Sequence, residues 1–286
     1  MSRIAYVNGA YLPHAAAGVH VEDRGYQFGD GVYEVCEVRA GHMVDERRHM
    51  ARLVRSLGEL RIRPPMTLAA LGVVLRETIR RNRVRDGLVY LQVTRGVARR
   101  DHYFPDPATA PSIVVTARSI DPAKGEAVAG QGIAVITVPD NRWERVDIKT
   151  IGLLPNVLAK EAAKRAGARE AWFVDAAGHV TEGGSTNAWI VTAQGRLITR
   201  PAESGILRGI TRTVMLEVAE ALQLRVEERP FTVAEAQAAR EAFVTSATNF
   251  ATPVVRIDGQ IIGDGRPGPV ARALRENYPK CTETGS

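Results

Sequence analysis

The order of its hydrophobic patterns constrains this chain most. Over 286 residues, strand-like alternation and helix-like spacing follow one another irregularly. A doubly wound parallel sheet needs a helix after nearly every strand, so an α+β class is expected instead. Residues 4–12 read as a hairpin turning at Asn8-Gly9, a dipeptide that accepts the positive φ angles of a two-residue turn. Residues 31–38 alternate and stop at Ala40-Gly41. Over 46–60, Met50, Leu53, Val54, Leu57 and Leu60 recur at helical spacing. Thr67 stands where an N-cap belongs, ahead of a helix over 68–82. Strands are expected at 88–94 and 112–116.

Between 119 and 131 the periodicity fades while Pro122, Gly125 and Gly130 accumulate, which predicts a linker. It separates a small N-terminal α+β domain, 1–118, from a larger C-terminal one, 132–286. The second domain has strand patterns at 133–138, 171–174, 188–192, 243–245 and 254–257. Helical patterns occupy 156–166, 210–222 and 270–277. No internal repeat or low-complexity tract interrupts either part.

Several function classes lose ground. The net charge is +6, but the arginines are scattered among acids, which reads as a solvated surface and not as a nucleic-acid footprint. An arginine-rich chain also suits anionic substrates, because a guanidinium grips a carboxylate or phosphate with two parallel hydrogen bonds. No apolar run approaches a membrane span, and residues 1–12 lack the basic-then-apolar order of a signal peptide. Cys36 and Cys281 lie far apart and outside any CxxC, which fits a reducing cytoplasm. The histidines form no metal-ligand spacing, so no metal site is expected. Phosphate-loop, nucleophile-elbow and dinucleotide glycine motifs are missing, and an enzyme of this kind would borrow its chemistry from an organic cofactor.

Lysine is scarce, at five residues. Lys124 falls in the expected linker, Lys280 near the end, and Lys160 and Lys164 lie four apart on one helix face. Lys149 differs, sitting in the largely apolar stretch Val146-Asp147-Ile148-Lys149-Thr150. It is either a strand-end lysine with its charge in water or an amine able to form a Schiff base. The run from Val180 to Asn187 places Glu182 before two glycines and the hydroxyls of Ser185 and Thr186. It is a simple turn or a close-approach loop for an anion. Gly209-Ile210-Thr211-Arg212 opens a helix, where unpaired N–H groups attract anions, and Ser246-Ala247-Thr248 adds small residues after a strand. A lysine, a carboxylate and loops suited to a phosphate are the parts a pyridoxal 5′-phosphate (PLP) site needs.

At this point the sequence resembles the fold-type IV PLP transaminases, and among them the D-amino acid transaminases. The resemblance is carried by segment 23–35 (DRGYQFGDGVYEV), by Val93-Thr94-Arg95-Gly96, Asp147-Ile148-Lys149-Thr150 and Leu158-Ala159-Lys160, and by Thr181-Glu182-Gly183, Gly209-Ile210-Thr211-Arg212 and Phe243-Val244-Thr245-Ser246. It implies a two-domain α+β fold and PLP as cofactor. Lys149 would hold PLP, Glu182 would face its pyridine nitrogen, and Leu207 would pack on its ring. Arg52, Ser185, Thr186, Ile210, Thr211, Ser246, Ala247 and Thr248 would surround the cofactor, chiefly its phosphate. Ala247 departs from the family, which usually has threonine there. After VTRG, the Arg100 and His102 pair resembles the D-amino acid subgroup's substrate motif. With Tyr33 it would hold the substrate carboxylate, across the subunits of a homodimer.

The implied activity is a ping-pong exchange of amino groups between D-amino acids and 2-oxo acids. Branched-chain L-amino acid transaminase, (R)-amine transaminase and aminodeoxychorismate lyase share the implied cofactor site and remain open. A catalytically silent binding protein on the same fold is disfavoured by the presence of both Lys149 and Glu182, and neither a nucleic-acid nor a membrane partner is expected.

Overall fold

The computed structural model describes residues 3–203 and 205–283. By compactness the chain divides into two units. Among the described residues the first holds 3–122, 148–152 and Glu283, and the second holds 123–147, 153–203 and 205–282.

The first unit contains β1 (Ile4–Val7), β2 (Ala10–Pro13), α1 (Arg24–Phe28), β3 (Gly31–Arg39), β4 (His42–Met43), α2 (Glu46–Glu59), α3 (Leu68–Arg81), β5 (Gly87–Thr94) and β6 (Ser112–Ser119). Its six strands form one antiparallel sheet in the order β2-β1-β6-β5-β3-β4. Asn8 and Gly9 both take positive φ (46° and 102°), as do Ala40 and Gly41 (50° and 89°), so both hairpins turn where the sequence predicts. Along β3, Val32, Glu34, Cys36 and Val38 are buried while Tyr33, Val35 and Glu37 are half-buried. The buried row packs with Leu53 and Leu57 of α2 and with Leu71, Leu75 and Ile79 of α3. Glu34 therefore projects from the apolar row, beneath α2.

Residues 149–151 belong with this unit, although they lie inside the range expected for the second domain. At its start β3 has one edge that β4 does not reach. The Tyr33 N–H donates to the Lys149 carbonyl (3.0 Å), the Ile151 N–H to the Gly31 carbonyl (3.1 Å), and Val32 bridges Thr150. An exposed strand edge needs partners for its backbone groups, and this segment supplies them.

The second unit contains α4 (Pro122–Gln131), β7 (Ile133–Pro139), α5 (Leu154–Arg165), β8 (Glu170–Val174), β9 (Val180–Gly183), β10 (Asn187–Val191), β11 (Leu197–Thr199), α6 (Ile210–Ala221), β12 (Val226–Glu228), α7 (Val233–Gln237), β13 (Glu241–Ser246), β14 (Asn249–Ile257), β15 (Gln260–Ile261) and α8 (Pro269–Cys281). Its sheet runs β12-β11-β10-β13-β14-β7-β8-β9, with β15 beside β14. Trp189 and Phe243 face each other across β10 and β13 and stack at 5.5 Å. On them rest Val214, Met215 and Val218 of α6 and Leu274 and Tyr278 of α8. The opposite face packs Trp172, Ile190, Val244 and Val254 with Phe231 and Ala236.

The stretch expected as a linker is mostly the helix α4. It buries only Ala129, so it carries no apolar stripe for a periodicity reading to find. Pro122 opens it, where a missing N–H costs nothing.

Candidate active site

In the first unit, the segment at the edge of β3 sets Lys149. Its Nζ lies over the aromatic face of Tyr33, 4.2 Å from the ring centre. Its backbone N–H points at Ser56 Oγ (3.4 Å), and the side chain is half-buried. Tyr33 leans on Tyr90 at 5.7 Å between ring centres, and the Tyr90 hydroxyl donates to Gln92 Oε1 (2.7 Å). Burial first, and the neighbouring Tyr33 second, push the Tyr90 phenol up to about 12.

On the sheet's other face, α2 brings Arg52 to Glu34. Arg52 Nε donates to Glu34 Oε1 and its NH2 to Oε2, both at 2.8 Å, a two-pronged pair. His49, one turn earlier on the same helix face, sets Nδ1 2.8 Å from Oε2. Glu34 is fully buried. Burial alone would raise its carboxyl, but the Arg52 charge and the hydrogen bonds from Arg52 and His49 outweigh it and hold it at about 2.

Arg100 and His102 occur together on an exposed loop. The Arg100 guanidinium lies 4.8 Å from the Phe28 ring centre, and the His102 ring lies 5.5 Å from it. The loop is tied down where the Arg24 NH1 donates to the Asp101 carbonyl (2.7 Å) and Arg95 lies 3.7 Å over the Phe104 ring. The contacts thus gather Arg100 and His102 on one ring, and Tyr33 with Lys149 and Tyr90.

In the second unit Glu182, on β9, is 6% exposed. Its Oε1 accepts from Arg142 NH1 and from the Leu207 N–H, and its Oε2 from Asn187 Nδ2 (3.1 Å) and the same Leu207 N–H (3.2 Å). No pattern in the sequence marks Arg142, which stands in an irregular stretch among other arginines. Its guanidinium is 5% exposed and also forks onto Asp140 at 2.9 and 2.7 Å. Burial opposes its charge, yet bonding to Asp140 and pairing with Glu182 hold its pKa above the ordinary arginine value. Asn187, the last residue of the 180–187 run, links Glu182 to the Leu207 carbonyl (3.1 Å).

Ile210 and Thr211 open α6, whose N-cap Gly209 offers no side chain to the first N–H groups. Those donors suit an anion. Ser185 and Thr186 hydroxyls instead reach Glu170 Oε2 at 3.1 and 3.2 Å, with Lys160 Nζ 3.1 Å from the same carboxylate. They brace the turn after Glu182 from behind. Ser246 and Asn249 pair across the turn that carries Ala247 and Thr248, beside a register shift in β13. That irregularity turns small residues outward at a strand end.

The family model for class IV aminotransferases matches residues 31–257, which include Lys149, Arg52 and Glu182. The chain belongs to the class IV aminotransferases. It is 40% identical to a D-alanine aminotransferase of Staphylococcus haemolyticus over 282 residues, 98% of each chain. With that of Bacillus licheniformis it shares 42% over 268 residues, 94% of this chain and 93% of the relative. Among solved structures, the branched-chain amino acid aminotransferase of Escherichia coli superposes with a TM-score of 0.89 at 25% identity, covering 98% of this chain and 94% of that one. A T.th. branched-chain enzyme with pyridoxamine 5′-phosphate gives 0.89 at 28%, with the same coverage. These aminotransferases are of fold type IV, and the class is PLP-dependent.

The residues present fit that cofactor. Lys149 offers an amine beside an aromatic face, Glu182 a buried carboxylate, and α6 an N-terminus with no side-chain cap. Leu207 is fixed through its N–H to Glu182.

A Cβ on Gly209 would sit 2.1 Å from Asn187 Oδ1. Gly209→Ala should push Asn187 off Glu182, cost about 1–3 kcal/mol of stability, and weaken PLP binding; denaturant melts and cofactor titration check both. Glu34 supplies a pH test. Its folded-state pKa lies below the unfolded one, so its stabilisation is full above the unfolded value and lost as pH falls toward about 2. The stability gap between the native chain and Glu34→Gln should be about 3 kcal/mol near neutrality and shrink between about pH 5 and about pH 2. A gap that stays constant over that range would show that the charge is not what stabilises.

Proposed function

We propose that this chain transfers amino groups between D-amino acids, such as D-alanine and D-glutamate, and 2-oxo acids, such as pyruvate and 2-oxoglutarate, with PLP as cofactor. The observation that carries the reading is the identity of 40% and more to D-alanine aminotransferases across nearly the whole chain. Identity to the branched-chain enzymes that share the fold is only 25–28%, so branched-chain L-amino acids fit less well.

Bound PLP supplies an electron sink for the charge left when the substrate Cα loses its proton. Lys149 would hold the cofactor through Nζ, and its free amine would take the proton from the substrate Cα and give it back, as base and then acid. The Tyr33 ring against that nitrogen limits how far it swings. Glu182 would hold the pyridine nitrogen, and Arg142, Asn187 and the Leu207 N–H keep its carboxylate from rotating. The phosphate would be held by Arg52, by the first N–H groups of α6 at Ile210 and Thr211, and by Ser246 and Thr248, which flank the hydroxyl-free Ala247. The Ser185–Thr186 turn serves as backbone, its hydroxyls being bonded to Glu170. One amino acid must leave as its oxo acid before the next substrate binds, so the kinetics are ping-pong.

Arg100, His102 and Tyr33 bind the substrate carboxylate, with Arg100 and His102 reaching the partner's site in a homodimer of the cytoplasm. Their exposed loop supports this, because its neighbours Tyr103 and Phe104 are 82% and 57% exposed and Tyr26 of α1 is 76% exposed. No helix among the described residues is long and apolar enough to cross a membrane.

The first test is the visible spectrum of the purified protein with D-alanine, L-leucine and (R)-1-phenylethylamine added separately. D-alanine alone should convert the bound chromophore quickly; conversion by L-leucine or the amine instead would remove the carboxylate-binding trio from the account. Lys149→Ala should lose roughly 100-fold or more in rate. The second test mixes two variants, each lacking one group of the proposed site. Lys149→Ala and Arg100→Ala, refolded together, should regain about one quarter of native activity, since half the dimers are mixed and each has one intact site. No recovery, with mixed dimers present, would place Arg100 in its own subunit's site.

A further inference from the structure

Arg52 is built unlike the chain's surface arginines. Arg80 pairs with Glu77 at a guanidinium 73% exposed, and such pairs are worth little. Arg52 is 10% exposed and faces a carboxylate that is 0% exposed. A guanidinium is a planar fork with a side edge, formed by Nε and NH2, and an end edge, formed by NH1 and NH2. Glu34 takes the side edge with two bonds of 2.8 Å. The Glu34 carboxylate is itself fixed: Val32 and Cys36, its neighbours on the buried row of β3, are 0% exposed, and His49 Nδ1 holds Oε2. His49 and Arg52, three residues apart on α2, reach that one carboxylate from the same helix face.

We infer that Glu34 and His49 are positioning residues for phosphate recognition, fixing the orientation of the Arg52 guanidinium that holds the phosphate of the cofactor. The inference rests on the reading of Arg52 as a phosphate ligand. With Glu34 charged, the Arg52–Glu34 unit carries no net charge. Its value to a phosphate is then directional hydrogen bonding, which depends on orientation to a few tenths of an ångström. Losing the lock penalises the phosphate specifically and leaves recognition of the pyridine ring alone.

Apoenzyme titrated with PLP and with pyridoxal, which lacks the phosphate, separates this role from a merely structural one. Glu34→Asp keeps the charge and withdraws it by one methylene. It should raise the Kd for PLP about 10–100-fold, the range seen when outer partners of ligating groups are removed, and leave the Kd for pyridoxal within about twofold of native. His49→Gln should act in the same direction by a smaller factor, and it carries the test if Glu34→Asp does not fold. Equal shifts for both compounds, or none, would overturn the proposal and leave the trio as a clamp between α2 and β3. Arg52→Ala distinguishes the two levels. If it also fails to separate PLP from pyridoxal, Arg52 is not the phosphate ligand and the proposal falls with that reading. If it separates them and Glu34→Asp does not, only the positioning role is lost.

Discussion

A carboxylate buried without partners would take up a proton or unfold the chain, and this protein buries several. Each is met by donors, and several of those donors are, or hold, side chains of the candidate site. Glu34 fixes Arg52 through its fork and His49. Glu182 is fixed by Arg142, Asn187 and the Leu207 N–H. Glu170 ties Ser185, Thr186 and Lys160 to the end of β8. Glu241 accepts from the Val270 and Ala271 N–H groups at the start of α8, where the helix dipole favours a negative charge. Removing any one acid leaves its partner charges or donors buried and unmatched, which costs more than the pair contributes.

This dependence explains what the sequence discloses and what it hides. The long elements are legible because their apolar residues repeat: α2 and α3 fall where their spacing and Thr67 place them, and Thr67 Oγ1 does accept from the Ala70 N–H (3.3 Å). Short elements such as α1, β11, β12 and α7 have too few residues to show a period. β9 reads as a glycine loop because its four residues end in Glu182-Gly183, yet all four are buried. The helix α4 is hidden for the opposite reason, since it hardly touches the core.

For the candidate site, the groups proposed to meet the cofactor are named by short segments that resemble the family. Those segments give no role to Arg142, Glu34 or His49. Arg142 joins Glu182 from 40 residues away, and Glu34 meets Arg52 from 18. No local spacing encodes a partner that only the folded sheet brings near. The Ser185 and Thr186 hydroxyls show the reverse case. Their position beside a carboxylate suggests anion contacts, while in the fold their hydrogens are taken by a second, buried acid.

The placement of Lys149 shows why chain order is a poor guide to partnership here. The lysine sits far along the sequence, within a stretch that alternates like a strand but joins no strand of the second unit's sheet. The open edge of β3 recruits it, and the consequence is chemical: the backbone bonds that satisfy Gly31 and Tyr33 also put Nζ over the Tyr33 ring. Glu34 follows Tyr33 in the same strand and points the other way, into α2. One strand thus sets the amine on one face and the guanidinium on the other, through the two-residue alternation of a β-strand. A one-residue slip of β3 would exchange those faces, burying Tyr33 under α2 and turning Glu34 away from Arg52. The register of β3 against β5, continuous from Gly31–Thr94 to Val38–Gly87, is therefore as much a part of this site as any side chain in it.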